Sequence, residues 1–164
     1  MKNSRLLAFA GALLGLVTAA SGADKVSEVF IRDAVQGNLA EIKLGQLAQE
    51  KTQSAEVKSY AQMLVTDHST SNEQAKKVAK QIGITIPTEL SVSQKVTYNR
   101  MSKLSGTAFD RAFVAEMIAG HKTNITRFQN EAKKKDDPAA DFANQMLPIL
   151  KKHLDAAQQL EPGI

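Results

Sequence analysis

The sequence predicts an all-α protein, a four-helix bundle with a short extra helix in the connector between the second and third long helices. Two observations favour this fold. The chain contains four prolines, and strand-like alternation is scarce after residue 23. Apolar residues recur in alternating steps of four and three through four long segments, which is the spacing of helices that bury one face against each other. Together these patterns indicate a single bundle domain over residues 24–164.

Residues 1–23 have the pattern of a secretory signal peptide. A short basic start precedes the apolar run Leu6–Val17, and Ser21 and Ala23 then fit the positions ahead of a cleavage point. The apolar run is too short for an ordinary membrane span, and no later segment approaches the necessary length. We therefore expect a mature chain that starts at Asp24, has no transmembrane span and resides in the periplasm or cell envelope. An uncleaved N-terminal anchor is the alternative.

Charge and cysteine content exclude several classes of function. Two of the 21 basic residues lie in the signal peptide, which leaves 19 against 17 acidic residues, so the mature chain is close to neutral and no nucleic-acid partner is expected. The chain has no cysteine and therefore neither a disulfide nor a thiol nucleophile. It also lacks a Gly-x-Ser-x-Gly elbow and a glycine-rich phosphate loop. Because no catalytic motif is found, the sequence favours a protein that is not an enzyme, without deciding the matter.

The first two long helices have recognisable ends. The first is predicted over Val26–Lys51 and ends where the residues TQS interrupt the apolar spacing. Ser54 is the expected N-cap of the second helix, which ends near Gly83, a residue suited to a left-handed C-cap. In the connector that follows, Ser91–Gln94 has the form of a capping box and predicts a short helix to about Leu104.

The third and fourth long helices are predicted in the same way. The residues Thr107–Asp110 are the expected cap of the third helix. Asp137 and Pro138 supply an N-cap and a proline at the first helical position, so the fourth helix is predicted to run from there to about Leu160. Pro148 lies inside this helix and should bend it, because proline removes one backbone hydrogen-bond donor.

Each long helix carries one metal-competent side chain at a position where the spacing asks for an apolar residue. The chain has three histidines, His68, His121 and His153, and each lies near the middle of a different long helix. On the remaining helix the ionisable group at such a position is Glu41. A buried polar group costs free energy unless another group bonds it, so these four residues predict a common site in the bundle core.

Two hypotheses explain this group of side chains. In the first, Glu41, His68, His121 and His153 bind one transition-metal ion, since imidazole and carboxylate together suit zinc, copper, nickel, iron or manganese. In the second, the protein is a metal-free structural or interaction protein of the cell envelope, and the same side chains form a hydrogen-bonded layer that fixes helix register. Counted in residues from the turn that joins their helices, His121 and His153 lie at nearly the same height along the bundle axis. Glu41 and His68, counted in the same way, differ in height by roughly 7 Å.

A di-iron carboxylate centre is not indicated. Such centres use Glu-x-x-His pairs, and the residues three before the histidines are Val65, Ile118 and Leu150. The nearest acids, Asp67 and Glu116, point away from the bundle axis in a straight helix. Iron oxidation of the ferritin kind is therefore not expected.

Four segments carry a family resemblance, and each contains one of the proposed ligands. They are NLAEIKLGQLAQEK, VKSYAQMLVTDHSTSNEQ, GTAFDRAFVAEMIAGHKTNITRFQNEAK and FANQMLPILKKHLDAAQQL. These segments resemble the helices of the bacterial domain-of-unknown-function 4142 family, over essentially the whole mature chain. Glu41, His68, His121 and His153 occupy the corresponding motif positions, in AE-x-x-LG, DH, GH and LP-x-L-x-x-H.

The resemblance implies an exported, ferritin-like four-helix bundle, and members of the family are often labelled outer-membrane proteins. The family brings no established reaction. The hypothesis that the protein handles metal ions in the envelope, or serves a redox or stress function there, therefore rests on the residues themselves.

Overall fold

The computed structural model describes residues 24–164, which form five α-helices and no strand. The helices are α1 (Lys25–Lys51), α2 (Ala55–Ile82), α3 (Val92–Ser102), α4 (Gly106–Glu131) and α5 (Pro138–Leu160), and a 3-10 turn, Glu161–Gly163, follows them. The predicted all-α bundle with one short helix in the connector is confirmed. Within residues 24–164, no helix combines the length and apolar character needed to cross a bilayer. The predicted signal peptide lies outside the described residues, so cleavage after Ala23 stays a prediction.

Neighbouring long helices run antiparallel, and they follow the order α1, α2, α5, α4 around the bundle. Phe30 near the start of α1 packs edge-on against Phe128 near the end of α4, with ring centroids 4.8 Å apart. Tyr60 near the start of α2 and Leu160 at the end of α5 line one shallow surface cavity. Helices α2 and α4 are therefore parallel and diagonally opposed, so the connector must cross the length of the bundle. One long crossover is the connectivity of ferritin-like bundles.

The crossover lies on the surface, as the sequence predicts, and hydrogen bonds hold it against α1. Gln36 Nε2 donates to Glu89 O at 2.7 Å and to Gln94 Oε1 at 2.8 Å, while Gln94 Nε2 donates to Gln36 O at 3.0 Å. The predicted capping box of Ser91 and Gln94 opens α3. Near the other end of α3, Met101 is fully buried in the core. The connector is thus fastened at both ends of its short helix.

Most helix ends agree with their predicted caps. Ser54 Oγ accepts a hydrogen bond from Val57 N at 3.2 Å, and Gly83 ends α2 with a φ of 75°. Asp137 Oδ1 accepts from Ala139 N at 2.8 Å at the start of α5. Helix α5 continues through Pro148, which lies on its exposed face. Water can therefore reach the backbone carbonyl that proline leaves without its helical donor.

The predicted cap of α4 is wrong. The helix begins at Gly106 after Ser105, so Thr107 and Asp110 lie inside the helix instead of ahead of it. Gly106 has a φ of 54°, a left-handed conformation that glycine adopts without steric cost, and this lets the chain turn into the helix early. The sequence pattern of a capping box gives no information about this left-handed backbone conformation.

A polar layer divides the core of the bundle into two hydrophobic clusters. One cluster includes Leu44, Leu64, Phe113, Met117 and Ala157, and the other includes Ile31, Ala75, Phe128, Phe142 and Leu150. Between them each long helix contributes one buried ionisable side chain. The exposed fractions are 6% for Glu41, 3% for His68, 0% for His121 and 0% for His153.

Candidate metal centre

The structure brings the four predicted residues together at the middle of the bundle. The centroids of the imidazole rings are 5.8 Å apart for His68 and His121, 5.2 Å for His68 and His153, and 5.3 Å for His121 and His153. Glu41 Oε2 lies 3.6 Å from His68 Nε2, and Glu41 Oε1 lies 3.7 Å from His121 Nδ1. Among residues 24–164, the three histidines form the one cluster in which three potential ligand atoms lie within 4.8 Å of one another.

Along the bundle axis, the height difference between Glu41 and His68 is smaller in the structure than the roughly 7 Å that the sequence predicts. Helix α1 ends at Lys51 and α2 begins at Ala55, so the two side chains differ by only three residues in their distance from the turn. Three residues correspond to about 4.5 Å of helix rise, which the length of a glutamate side chain largely makes up. Glu41 therefore reaches the level of the imidazoles.

The outer nitrogens of His121 and His153 are hydrogen-bonded to groups that can only accept. His121 Nδ1 lies 2.9 Å from the backbone oxygen of Met117, one turn earlier in α4. His153 Nε2 lies 2.9 Å from Asp67 Oδ2. A carbonyl or a carboxylate oxygen accepts, so in each neutral imidazole the proton must sit on that outer nitrogen. The inner nitrogens, His121 Nε2 and His153 Nδ1, are therefore left with lone pairs.

These two inner nitrogens face each other at 3.2 Å. Two lone pairs cannot hydrogen-bond each other, so a bond between them requires either one charged imidazole or the loss of one outer hydrogen bond. Burial makes both options costly. A cation between the nitrogens resolves the conflict, because two imidazole nitrogens bound to a tetrahedral ion at about 2.0–2.1 Å lie about 3.3 Å apart. The observed separation of the pair thus fits a shared metal ion.

His68 is oriented in the same manner from the opposite side. Asn38 Nδ2 donates to Ser71 Oγ at 3.1 Å, which directs the Asn38 oxygen toward His68 Nδ1 at 2.9 Å. The proton of His68 then sits on Nδ1, and Nε2 carries the lone pair. No hydrogen-bond partner for His68 Nε2 or for Glu41 Oε2 is found within residues 24–164. Both atoms are buried and are available to a ligand.

Burial sets the protonation of the centre. It lowers the pKa of His68 well below the usual range, and the nearby His153 and His121 lower it further. Burial also lowers the pKa of His153, although the hydrogen bond to Asp67 opposes that shift. The pKa of Glu41 is raised, again chiefly by burial. At neutral pH the imidazoles of His68 and His153 are therefore uncharged, which is the form that binds metal ions.

Sequence reasoning missed two residues that orient the imidazoles. Asp67 was predicted to point away from the bundle axis, yet it bonds His153 across the interface between α2 and α5. Asn38 lies one turn before Glu41 on α1 and is itself buried. Its signal in the sequence was an amide side chain three residues before a proposed ligand on the same helix. Groups that bond the outer nitrogen of a ligand histidine fix its tautomer and its orientation.

Comparison with known proteins identifies the family. Residues 15–160 match the domain of unknown function DUF4142. The chain belongs to the DUF4142 family. The resemblance predicted from the four helical segments is therefore confirmed, and the description of DUF4142 assigns no reaction. No curated protein matches the chain in sequence.

The fold of this DUF4142 protein is similar to that of several solved structures. The crystal structure of a DUF305 fragment from Deinococcus radiodurans has a TM-score of 0.77 and 14% identity, over 87% of this chain and 99% of that chain. CopM in its Cu(II)-bound form has a TM-score of 0.70, and CopM in its Ag-bound form has 0.68. Both CopM structures share 14% identity with the DUF4142 chain, over 84% of it and 96% of theirs. At this identity the likeness establishes a common fold.

Proposed function

We propose that this protein binds one transition-metal ion in its core, through His68 Nε2, His121 Nε2 and His153 Nδ1, with Glu41 as the fourth group. The observation that carries the proposal is the set of hydrogen-bond partners at the outer nitrogens of the imidazoles. Each outer nitrogen has an acceptor, so three lone pairs face a common space in the centre of the bundle. Three imidazole nitrogens with one carboxylate form a donor set of the kind that binds late first-row metals.

The same pattern argues against the metal-free alternative. A polar layer that only sets helix register is stable when its donors and acceptors pair with one another. Here His121 Nε2 and His153 Nδ1 are both acceptors at 3.2 Å, and His68 Nε2 faces the carboxylate of Glu41 at 3.6 Å, beyond hydrogen-bond distance. A layer of this composition has more acceptors than donors on its inner side, even when Glu41, whose pKa is raised by burial, carries a proton. A cation at the centre of the layer would bind the inner nitrogens that have no hydrogen-bond donor.

Copper is the ion that we propose for the site. For a nitrogen-rich set of ligands, affinity among divalent first-row metals is highest for Cu(II). The fold is shared with CopM, whose solved structures include Cu(II)-bound, Cu(I)-bound and Ag-bound forms. Zinc, nickel, iron and manganese are the competitors that a titration must compare. The near-complete burial of the four side chains favours holding an ion over turning over a substrate.

The biological role that follows is metal handling in the cell envelope. The predicted signal peptide supports a periplasmic or envelope location. Storage or delivery of the ion, and protection from excess metal, are the functions that fit a buried site in a single bundle.

The proposal is tested by titrating metal-free residues 24–164 with Cu(II) and its competitors. We expect one equivalent of Cu(II) to bind and the melting temperature to rise, since an ion at 100 times its Kd stabilises the native state by about 2.7 kcal/mol. The double variant His121→Ala and His153→Ala should bind no ion while its circular dichroism stays helical. Unchanged melting of the wild type with every metal would contradict the proposal and favour the register-setting alternative.

A further inference from the structure

The interface between α1 and α4 contains two cavities that lead from the surface toward the metal centre. Their volumes are about 350 Å³ and 360 Å³. Both are lined by Asp33 and Arg127, whose side chains form an ion pair of 2.6 Å across the interface. The first, here called the apolar cavity, reaches His68. The second, here called the polar cavity, lies under α3 and reaches Glu41.

Oxygen-bearing side chains line the polar cavity along its length. The half-exposed Glu116 lies at its outer part and is held by Arg100 at 3.3 Å. Gln36, Gln94 and the hydroxyl groups of α3 line its walls. Glu41 lies at its inner end, where the buried Oε2 has no hydrogen-bond partner within residues 24–164. A hydrated cation that enters can thus exchange water for protein oxygen atoms step by step.

Small residues keep this cavity open at the level of the histidines. Gly120, directly before His121 in α4, lines the polar cavity but not the apolar one, and so does Ala40 on the opposite wall, in α1. A Cβ atom placed at Gly120 would meet no atom of the described residues within 4 Å. Glycine inside a helix costs about 0.5–1 kcal/mol relative to alanine, so helix stability gives no reason for its presence there.

The apolar cavity offers a cation no comparable path. Its walls include Val26, Val29, Phe30 and Phe128. The two carboxylates that line it are already paired with basic side chains, Asp33 with Arg127 and Glu131 with Lys134. An ion that moved along the apolar part of these walls would find few free oxygen atoms to replace its hydration shell, and losing water without replacement is costly in an apolar environment.

We propose that metal ions reach the three histidines through the polar cavity, with Glu116 as an outer site for the hydrated cation and Glu41 as the group that passes it inward. At each step the ion exchanges a water molecule for a carboxylate oxygen, and finally its remaining water molecules for imidazole nitrogens while Glu41 stays bound. No covalent bond of the chain changes and no electron is transferred. This route rests on the metal-binding function proposed above and adds how the buried site is filled.

The route is tested by stopped-flow measurement of Cu(II) binding to, and release from, residues 24–164. Gly120→Leu and Ala40→Leu fill the polar cavity from opposite walls, and each should slow both binding and release by about tenfold or more while leaving Kd nearly unchanged. Val29→Trp narrows the apolar cavity from its exposed rim and should leave both rates as in the wild type. An unchanged spectrum of the bound Cu(II) verifies that the ligands themselves are intact.

The outer site is tested by Glu116→Gln, which should slow binding at low ionic strength by about tenfold and have a smaller effect at high salt. Glu73→Gln is the matched control, because Glu73 is also a surface glutamate paired with a basic residue, Lys76 at 2.7 Å. Wild-type rates in both cavity-filling variants, or slow binding in Val29→Trp, would overturn the proposed route but not the proposed metal-binding function. Absence of Cu(II) binding by the wild type would overturn the proposed function as well.

Discussion

Asp67 Oδ2 accepts a 2.9 Å hydrogen bond from His153 Nε2, although Asp67 stands next to His68 in the sequence and His153 belongs to a different helix. The carboxylate therefore links α2 to α5 at the level of the candidate metal centre, where Lys152 also approaches it at 3.8 Å. A carboxylate that is hydrogen-bonded to the outer nitrogen of a ligand imidazole fixes its tautomer and raises the basicity of the nitrogen that faces the metal. Asp67 thus fixes the tautomer of His153 that leaves the lone pair on Nδ1.

Removing this carboxylate should weaken metal binding without removing a ligand. We expect Asp67→Ala to lower the affinity for Cu(II) by about 10–100-fold, because His153 loses the acceptor that holds its ring. The Asp67→Asn variant keeps an oxygen acceptor, so its affinity for Cu(II) should fall less. Competition with a chelator of known affinity measures both. The matched control is Asp155→Ala, an exposed aspartate on α5, and an equal loss in that variant would contradict the assigned role.

The metal-free protein should lose stability as the pH falls from 7 to 5. The pKa of His68 in the folded protein lies well below its ordinary value of 6.5. Below pH 6.5 the unfolded chain therefore takes up a proton that the native state refuses, and the free energy of unfolding falls by at most about 1.4 kcal/mol per pH unit for such a histidine. The pKa of Glu41 is raised instead, so its contribution is present at low pH, is lost as the pH rises and offsets part of this fall.

Urea denaturation in the presence of a chelator measures this dependence. His68→Gln should show a flatter profile between pH 7 and 5 than the wild type, whatever its absolute stability. Glu41→Gln should show a steeper one, because the opposing contribution is gone. Identical slopes in the wild type and in His68→Gln would mean that His68 is protonated as easily in the native state as in the unfolded chain.

Replacing either of two glycines of α1 by alanine should change the stability of the protein, in opposite directions at the two positions. A Cβ at Gly45 would lie 2.8 Å from Val65 Cγ2 and 3.1 Å from Ala61 O, so Gly45→Ala should destabilise the protein by about 1–3 kcal/mol. A Cβ at Gly37 meets no described atom within 4 Å, so Gly37→Ala should stabilise it by about 0.5–1 kcal/mol. Chemical denaturation of the two variants checks both signs. Equal effects would show that α1 and α2 approach less closely than described.

The predicted export and cleavage would leave a defined N-terminus, which mass spectrometry can identify. The native protein should begin at Asp24, since Ser21 and Ala23 fit the positions ahead of the cleavage point. Asp24 would then cap α1 from the first position of the chain, where its side chain accepts from Ser27 N at 2.7 Å. Recovery of intact Met1 in the envelope fraction would favour the uncleaved anchor.

The helices and the four central residues could be predicted because both depend on local spacing. A histidine such as His68, at a position where apolar residues recur, signals a buried polar group without knowledge of its neighbours. Capping residues such as Ser54 and Asp137 act within one turn and are equally visible in the sequence.

The order of the helices and the groups that orient the imidazoles could not be predicted. Mid-helix histidines meet at the same height whether α2 and α4 run parallel or antiparallel, so spacing does not decide the crossover. Asp67 lies off the core-facing positions of α2 and reaches His153 only because α5 packs beside it. The start of α4 was missed because it depends on the left-handed backbone of Gly106. Each of these features is set by contacts between segments that are distant in sequence or by a single dihedral angle.

A crystal structure of residues 24–164 grown with Cu(II), with an anomalous difference map at the copper edge, tests the central claim most directly. We predict one peak in the middle of the bundle, about 2.0–2.2 Å from His68 Nε2, His121 Nε2 and His153 Nδ1. Asn38, Met117 and Asp67 should keep their hydrogen bonds to the outer nitrogens. A copper peak on the surface, coordination through the outer nitrogens, or a core without a peak in a protein exposed to excess Cu(II) would contradict the assignment.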